Sequence, residues 1–593
     1  MPHRPKSIST RMSFRRGWAL LAGLLVVPLV ATGVLQGATA ADVAPGGDEA
    51  MVQYQVRPAA GTTTTDLAGR LMLAGYDVYG GGDGAVFVHA PASAGTALGD
   101  RADLVVLAEH TVVLDFDAAG PASQDDILPA RLDGGEYPTF YGGYRTVDGH
   151  LAFMADLADE YPELVKMYDF GVTWQDADPL RVICVTADAD QSCQLDPDVD
   201  KPRLLLIAQT HAREITTSEL MWRTTTYLVD GYGKKADATS LLDGTEIWIV
   251  NNVNPSATKF VEEGITEQGT GSTSPAWQRK TLNDEYSPTD CGTVYANRQE
   301  GVDLNRSFDI AWGEVGTSDD PCNQTYGGPE AASESETTGQ VDLMNALFRD
   351  QRDESQGWDE AAPLNTSGSM INFHSYSNLV MPPWSHWTQR TANDEGLRSL
   401  SFRLSHYNGY ETGQSSEILY PSSGGTDDWA YQDLGVSGVT YEIGPGSGEC
   451  AGFFPAYSCQ DRFEDENLAS ILYAGEAARA PYKLSLGPTT LSATARAKDI
   501  KIQVKINASD DAYGMFGVDR PDVQNVTAAR IYVGKAPWEG GTAQAMTIKG
   551  SGSEVTAIVK VTPGSRKKLA YTQAKDADGN WGPIRAVWIP KAA

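Results

Sequence analysis

Basic residues are in short supply, 46 Lys and Arg against 78 Asp and Glu, for a formal net charge of −32. So acidic a chain offers phosphate backbones no clustered cations, which argues against nucleic-acid binding. It suits solubility outside a cell and favours cationic substrates. Histidine is scarcer still, eight in 593 residues, so one beside another metal-ligating residue stands out. The six cysteines include no C-x-x-C, so cysteine ligation of a metal is not expected. Past the N-terminus no apolar run reaches membrane-spanning length.

The N-terminus itself reads as a signal peptide over residues 1–40. Arg15-Arg16 precede an apolar run that Pro28 interrupts, and Ala38-Thr39-Ala40 gives an A-x-A-like cleavage site. The mature chain is therefore expected to be secreted, with no membrane anchor after processing. Cysteines in an exported chain imply disulfides, and the sequence-near pairings are Cys184–Cys193, Cys291–Cys322 and Cys450–Cys459.

A chain of 593 residues is too long for one core. Residues 41–135 read as a small α/β unit with strands at 52–57 and 84–89 and a helix at 66–74. It ends in a linker, 127–137, with Arg131 as the expected cut site, and its position suggests a propeptide. Residues 136–484 alternate between the two periodicities. Helices are expected at 150–161, 333–348, 395–407 and 465–478, and strands at 165–170, 181–186, 204–208, 246–251, 369–373 and 438–443. This is the pattern of an α/β fold with a doubly wound mixed β-sheet. From residue 485 helices vanish and short alternating runs recur at 500–506, 529–533, 554–561, 568–572 and 585–589, as in an all-β sandwich. There the loop Asp576-Ala-Asp-Gly-Asn-Trp581 reads as a solvated turn, with a calcium site as the alternative.

The chemistry concentrates where the apolar run 204–208 gives way to His211-Ala-Arg213-Glu214 and then to a helical segment. Open α/β sheets bind ligands at the carboxyl ends of strands. His211 and Glu214, three apart, can be aimed at one point, and imidazole with carboxylate is an acceptable zinc donor pair. Four further segments hold committed residues: Trp277-Gln-Arg279-Lys280, Asp303-Leu-Asn305-Arg306, His374-Ser-Tyr376, and Tyr420 through Asp427-Asp428 to Glu442. Metal-assisted peptide hydrolysis requires three ligands with one position left open, a free carboxylate for proton transfer, and an arginine for the oxyanion.

In order and local sequence these five segments resemble the zinc metallocarboxypeptidases of the pancreatic carboxypeptidase A/B type, from about residue 141 to 484. The resemblance implies that His211, Glu214 and His374 bind one Zn2+ and that Asp303 orients the first histidine. It implies Glu442 as general base and Arg279 as the group that polarises the scissile carbonyl. Asn305, Arg306 and Tyr420 would clamp the substrate's terminal carboxylate, with Arg213 and Tyr376 in flanking subsites. It also implies a disulfide at Cys291–Cys322 and, for the N-terminal unit, a zymogen. Departures are Gln278 before the arginine and Asn254-Pro-Ser-Ala257 in place of Asn-Pro-Asp-Gly; residues 175–194, 262–274 and 349–363 read as insertions.

Asp427 falls at the family's pocket-floor position, where a carboxylate goes with C-terminal Lys or Arg. The expected function is release of single C-terminal amino acids from peptides by a monomer, with basic ends preferred or accepted. The alternatives are a broad-specificity carboxypeptidase, a cell-wall peptide amidase, and an inactive carbohydrate- or surface-binding module. Asn-x-Ser/Thr triplets, one of them at Asn305 inside the proposed clamp, are poor evidence of glycosylation.

Overall fold

The computed structural model describes residues 49–592 apart from 81–83, 115–128, 176, 288–290, 292–298 and 353–356. The expected signal peptide lies outside the described residues. The core strand is the apolar run read from sequence. In Arg203–Ala208 (β7) Leu204, Leu206 and Ala208 face one side, Leu205 and Ile207 the other, all at most 1 % exposed. A strand buried on both faces needs a continuous apolar run.

Around it stands an eight-stranded sheet. The other members are β5 (Val165–Val172), β6 (Pro179–Val185), β8 (Glu246–Val250), β9 (Ser369–His374), β10 (Leu379–Met381), β11 (Glu411–Thr412) and β12 (Ser437–Glu442), in the order β11-β10-β12-β9-β7-β8-β6-β5. The centre is parallel, with β12, β9, β7 and β8 pairing in one direction; β6 and β5 run against their neighbours, and β10 is antiparallel to β12 but parallel to β11. Helices Thr216–Gly231, Asp394–Asn408 and Cys459–Ala477 cover one face; Ser335–Leu347 and Thr426–Leu434 cover the other. The doubly wound mixed sheet is therefore as expected.

Before it comes a four-stranded antiparallel sheet, β1 (Met51–Pro58), β2 (Asp77–Gly80), β3 (Val86–Pro91) and β4 (Leu104–Thr111), ordered β2-β3-β1-β4. Helix Thr64–Leu73 packs on it and starts where Thr63 caps the Asp66 amide at 3.0 Å. Strands β2 and β4 were not expected from sequence. β2 is only four residues long and opens on a charged Asp77. Arg131 is not a free linker residue: it pairs with Asp133 (2.8 Å) and Asp156 (3.6 Å) and lies over the Tyr137 ring. After the eight-stranded sheet come two four-stranded antiparallel sheets packed through Val504, Ile506, Ile531 and Ala557. Their first strand, Thr489–Lys498, was missed because its alternating positions are small or polar.

The three disulfides pair as expected, Cys184–Cys193, Cys291–Cys322 and Cys450–Cys459, with Cα separations of 5.8, 5.4 and 5.6 Å. The Asp576 loop is a closed turn. The Asp576 carboxylate, itself buried, accepts from the Gly579 and Asn580 amides (2.7 Å each) and the Asn580 side chain (3.0 Å), while residues 577–579 are exposed, as a solvated turn requires. Among the described residues no helix is long and apolar enough to cross a membrane.

One half-buried acid sets a pH-dependent term in stability. Glu262 accepts the Val147 amide at 2.7 Å, yet burial pushes its carboxyl from the ordinary 4.5 up to about 8. The folded state thus holds this proton more tightly than the unfolded one. Its contribution is full below pH 4.5 and lost as pH rises toward 8. Glu262→Gln is expected to unfold at higher urea than the parent at pH 8 and to show a flatter pH profile from pH 5 to 8. Equal midpoints at pH 8 would refute this.

Candidate metal centre and active site

The committed residues gather at the carboxyl ends of the parallel strands. His211 and Glu214 lie in the turn between β7 and helix Thr216–Gly231, His374 ends β9, and Glu442 ends β12. His374 and Glu442 are directly paired in the β9–β12 register, so adjacent strands present them side by side.

Three donor atoms converge. His211 Nδ1 lies 2.8 Å from Glu214 Oε1, and His374 Nδ1 lies 3.0 Å from His211 Nδ1 and 3.1 Å from Glu214 Oε2. These are the residues that, among those described, could together hold a metal ion. The other nitrogen of His211, Nε2, meets Asp303 Oδ1 at 3.0 Å, which fixes its proton there and leaves the Nδ1 lone pair facing the cluster. Two imidazole lone pairs turned toward one carboxylate at such distances repel unless a cation lies between them. The donor set therefore fits zinc. Burial lowers the His374 pKa, and Glu214 stays ionised against its own burial because the imidazoles face it. Neutral imidazole and ionised carboxylate are the forms that bind metal.

Arg279 is anchored beside this cluster, its Nε 3.1 Å and Nη2 3.0 Å from Asp303 Oδ2. Despite complete burial, Asp303 is held well below the usual carboxylate range by Arg279 and His211. Lys280 turns the other way and donates to the Pro321 (2.7 Å) and Asn323 (2.9 Å) carbonyls, so the guanidinium, not the amine, faces the cleft. Arg306 donates to the Gly316 and Asn305 carbonyls (2.8 Å each) and has no carboxylate partner among the described residues. Asn305 Oδ1 accepts from the Thr426 amide at 3.1 Å, which leaves its NH2 as the outward donor. Gly424 lets the Tyr420–Asp427 loop close on this turn: at φ +75° a Cβ there would stand 2.2 Å from the Arg306 carbonyl.

Glu442 is half-buried with its Oε2 enclosed and unpartnered, and desolvation together with the Glu214 charge raises its pKa well above the usual value. Glu214 is thus held in the ionised form a metal ligand needs, while Glu442 stands outside the ligand cluster as the carboxyl free for proton transfer. A model of the zinc carboxypeptidase family matches residues 150–470, more than half of the chain.

The chain belongs to the zinc carboxypeptidase family.

It is accordingly a metallocarboxypeptidase, an enzyme. The carboxypeptidase is 28% identical to carboxypeptidase B of Astacus astacus, over 49% of this chain and 83% of the relative. It is also 28% identical to carboxypeptidase A2 of Mus musculus, over 50% of this chain and 61% of that one. Its fold is shared with the carboxypeptidase A of Helicoverpa armigera (TM-score 0.54, 17% identity, 73% of this chain and 98% of that one).

The cleft of this carboxypeptidase brings together His211, His374, Glu442, Arg279, Asn305, Arg306 and Tyr420. Asp427 lies behind its wall, where Ser385 Oγ donates to it at 3.1 Å. Two expected residues, Arg213 and Tyr376, stand further along and are covered by the N-terminal sheet. Arg213 pairs with Asp77 (2.8 Å) and donates to the Tyr79 hydroxyl (2.6 Å), and Tyr376 stacks on Tyr79 at 4.8 Å. Sequence reasoning missed Asp77 and Tyr79, and also the pocket hydroxyls Ser385, Ser415 and Ser422. Asp77-Val-Tyr79, following the turn glycine Gly75, was the available signal, but nothing local to it says what it contacts.

Proposed function

We propose that this enzyme is a secreted carboxypeptidase that uses one zinc ion per chain, acts as a monomer, and removes single C-terminal residues from peptides, favouring Lys and Arg. The observation that carries the reading is the convergence of His211, Glu214 and His374 with Glu442 alongside. Bound zinc would polarise the scissile carbonyl and make water acidic, from a pKa of about 15.7 toward ~7. Arg306, Asn305 and the Tyr420 hydroxyl hold the substrate's terminal carboxylate, a bidentate cation with two flanking donors. Glu442 takes a proton from the attacking water as its oxygen bonds to the carbonyl carbon. Arg279 meets the charge that develops on the carbonyl oxygen. As the C–N bond breaks, Glu442 returns the proton to the leaving amine. The deciding test of the chemistry is hydrolysis of synthetic peptides by zinc-loaded protein, with chelator abolishing it and zinc restoring it.

The N-terminal sheet fits the role of an inhibitory propeptide. Tyr79 lines the cleft and Asp77 pairs with Arg213, so the N-terminal sheet lies against the site and its flanking subsite. Secretion is supported by the leader pattern and by three disulfides. Cutting the chain between Thr111 and Tyr137 is expected to raise kcat/KM about a hundredfold, the factor a 99:1 closed population implies. Equal rates before and after the cut would remove the inhibitory role.

Basic preference rests on Asp427. It is 1 % exposed and has no cation partner among the described residues, and the pocket in front of it is walled by hydroxyls. A lysine or arginine side chain entering that pocket would supply the missing charge.

A further inference from the structure

The C-terminal β-sandwich reaches into the catalytic sheet at its outer edge. Its segment 514–518 runs beside β11, where the Thr412 amide donates to the Phe516 carbonyl (3.1 Å) and the Val518 amide to the Thr412 carbonyl (2.8 Å). The Gly514 amide adds a bond to the Phe402 carbonyl at 2.7 Å. Glycine is required at 517: φ is +138°, and a Cβ would lie 2.1 Å from the Thr412 carbonyl. The segment thus adds a single parallel bridge to the edge of the sheet, made from the C-terminal part of the chain.

From this seam a buried chain of contacts leads to the substrate pocket. Arg398, 3 % exposed, donates to the Val518 carbonyl (2.8 Å) and to Glu417 (3.2 Å). Glu417 in turn accepts the Gln414 amide at 2.9 Å, closing the cap of the one-turn helix Ser415–Ile418. The Gln414 side chain donates to the Trp384 carbonyl at 3.0 Å, immediately before Ser385. Ser415 Oγ holds the Tyr420 carbonyl at 2.7 Å. Ser385, Ser415, Leu419 and Tyr420 all line the cleft.

We propose that the C-terminal domain is a specificity element: segment 514–518, acting through Arg398 and Glu417, positions the pocket wall and the Tyr420 loop. Arg398, Glu417 and Gly517 are positioning residues and touch no substrate. The domain sets how tightly the terminal residue is held and leaves bond cleavage at Glu442 alone. This inference rests on the carboxypeptidase reading, in which Tyr420 and the Ser385–Ser415 wall contact the substrate's last residue.

The test is Gly517→Ala in the full, zinc-loaded protein in its active form. With a peptide ending in arginine, KM is expected to rise roughly tenfold, with kcat within about twofold and zinc content unchanged. A merely structural seam would lower the folded fraction and hence kcat, leaving KM as it was; that result overturns the proposal. Should the variant not fold, hydrogen exchange of the parent decides. By reciprocity, filling the pocket with a non-hydrolysed arginine-ended analogue must slow exchange at the Thr412, Gly514 and Val518 amides. Unchanged exchange there refutes the coupling. No turnover by the parent on any peptide would instead defeat the carboxypeptidase reading itself.

Discussion

Glu442→Gln is expected to bind zinc as the parent does and to lose between about a hundredfold and ten-thousandfold in kcat, the range a positioned general base supplies. The substitution keeps shape and removes one function, the ability to accept a proton. Glu442 makes no ion pair among the described residues, its Oε2 has no partner, and burial and Glu214 already push it toward the neutral form. An unpaired buried carboxylate costs stability, so the neutral amide should leave the fold at least as stable. If Glu442 instead served to neutralise an arginine, the variant would unfold more readily and keep its turnover. Zinc content, urea midpoint and kcat on one preparation separate these outcomes.

The second large effect is a change of preference in Asp427→Leu. Its neighbour Asp428 is already engaged, accepting from the Ser385 amide (2.8 Å) and from His386 through its amide (3.2 Å) and Nδ1 (2.6 Å). Asp427 accepts the Ser385 hydroxyl and local backbone amides, and pairs with no cation among the described residues. Replacing it should lower kcat/KM for peptides ending in arginine by about thirtyfold to several thousandfold, the cost of stranding a buried charge. Peptides ending in leucine should gain. The pH profile gives an independent check in the parent. Burial, then the Asp428 charge, pushes the Asp427 carboxyl up to about 7 in the empty pocket. Below that pH it is protonated and pairs poorly with a cation, so discrimination for arginine over leucine should rise with pH through about 7. Discrimination that ignores both the substitution and pH would mean Asp427 does not set specificity.

The site was legible in the sequence because its parts are local motifs on strand ends. β7 announces itself by Leu204-Leu-Leu-Ile-Ala, and the residues that follow such a strand have only one place to go, the carboxyl edge of the sheet. His374 and Glu442 each close a short strand run, but their roles were read from the resemblance of the five segments taken together. The disulfides were legible for a similar reason, since partners 9 or 31 residues apart have few rivals.

What escaped depends on contacts between distant segments. Asp77 and Arg213 are separated by more than a hundred residues, and neither carries a local sign of the other. The union of Thr412 with Phe516–Val518 is a main-chain contact, made by carbonyls and amides that every residue possesses. Helix Ala236–Gly244 was missed because Ala-Asp-Ala-Thr-Ser-Leu-Leu-Asp-Gly has too few apolar residues to mark a face. Its burial comes from packing on helix Thr216–Gly231 and on the C-terminal strands rather than from its own pattern.

The central claim is that His211, Glu214 and His374 hold a single zinc ion within reach of Glu442. Anomalous diffraction at the zinc edge from crystals of the zinc-loaded protein tests it most directly. The account predicts one strong peak, about 2.0–2.2 Å from His211 Nδ1, His374 Nδ1 and a Glu214 oxygen. A peak elsewhere, or none between these three side chains at full zinc occupancy, would contradict it.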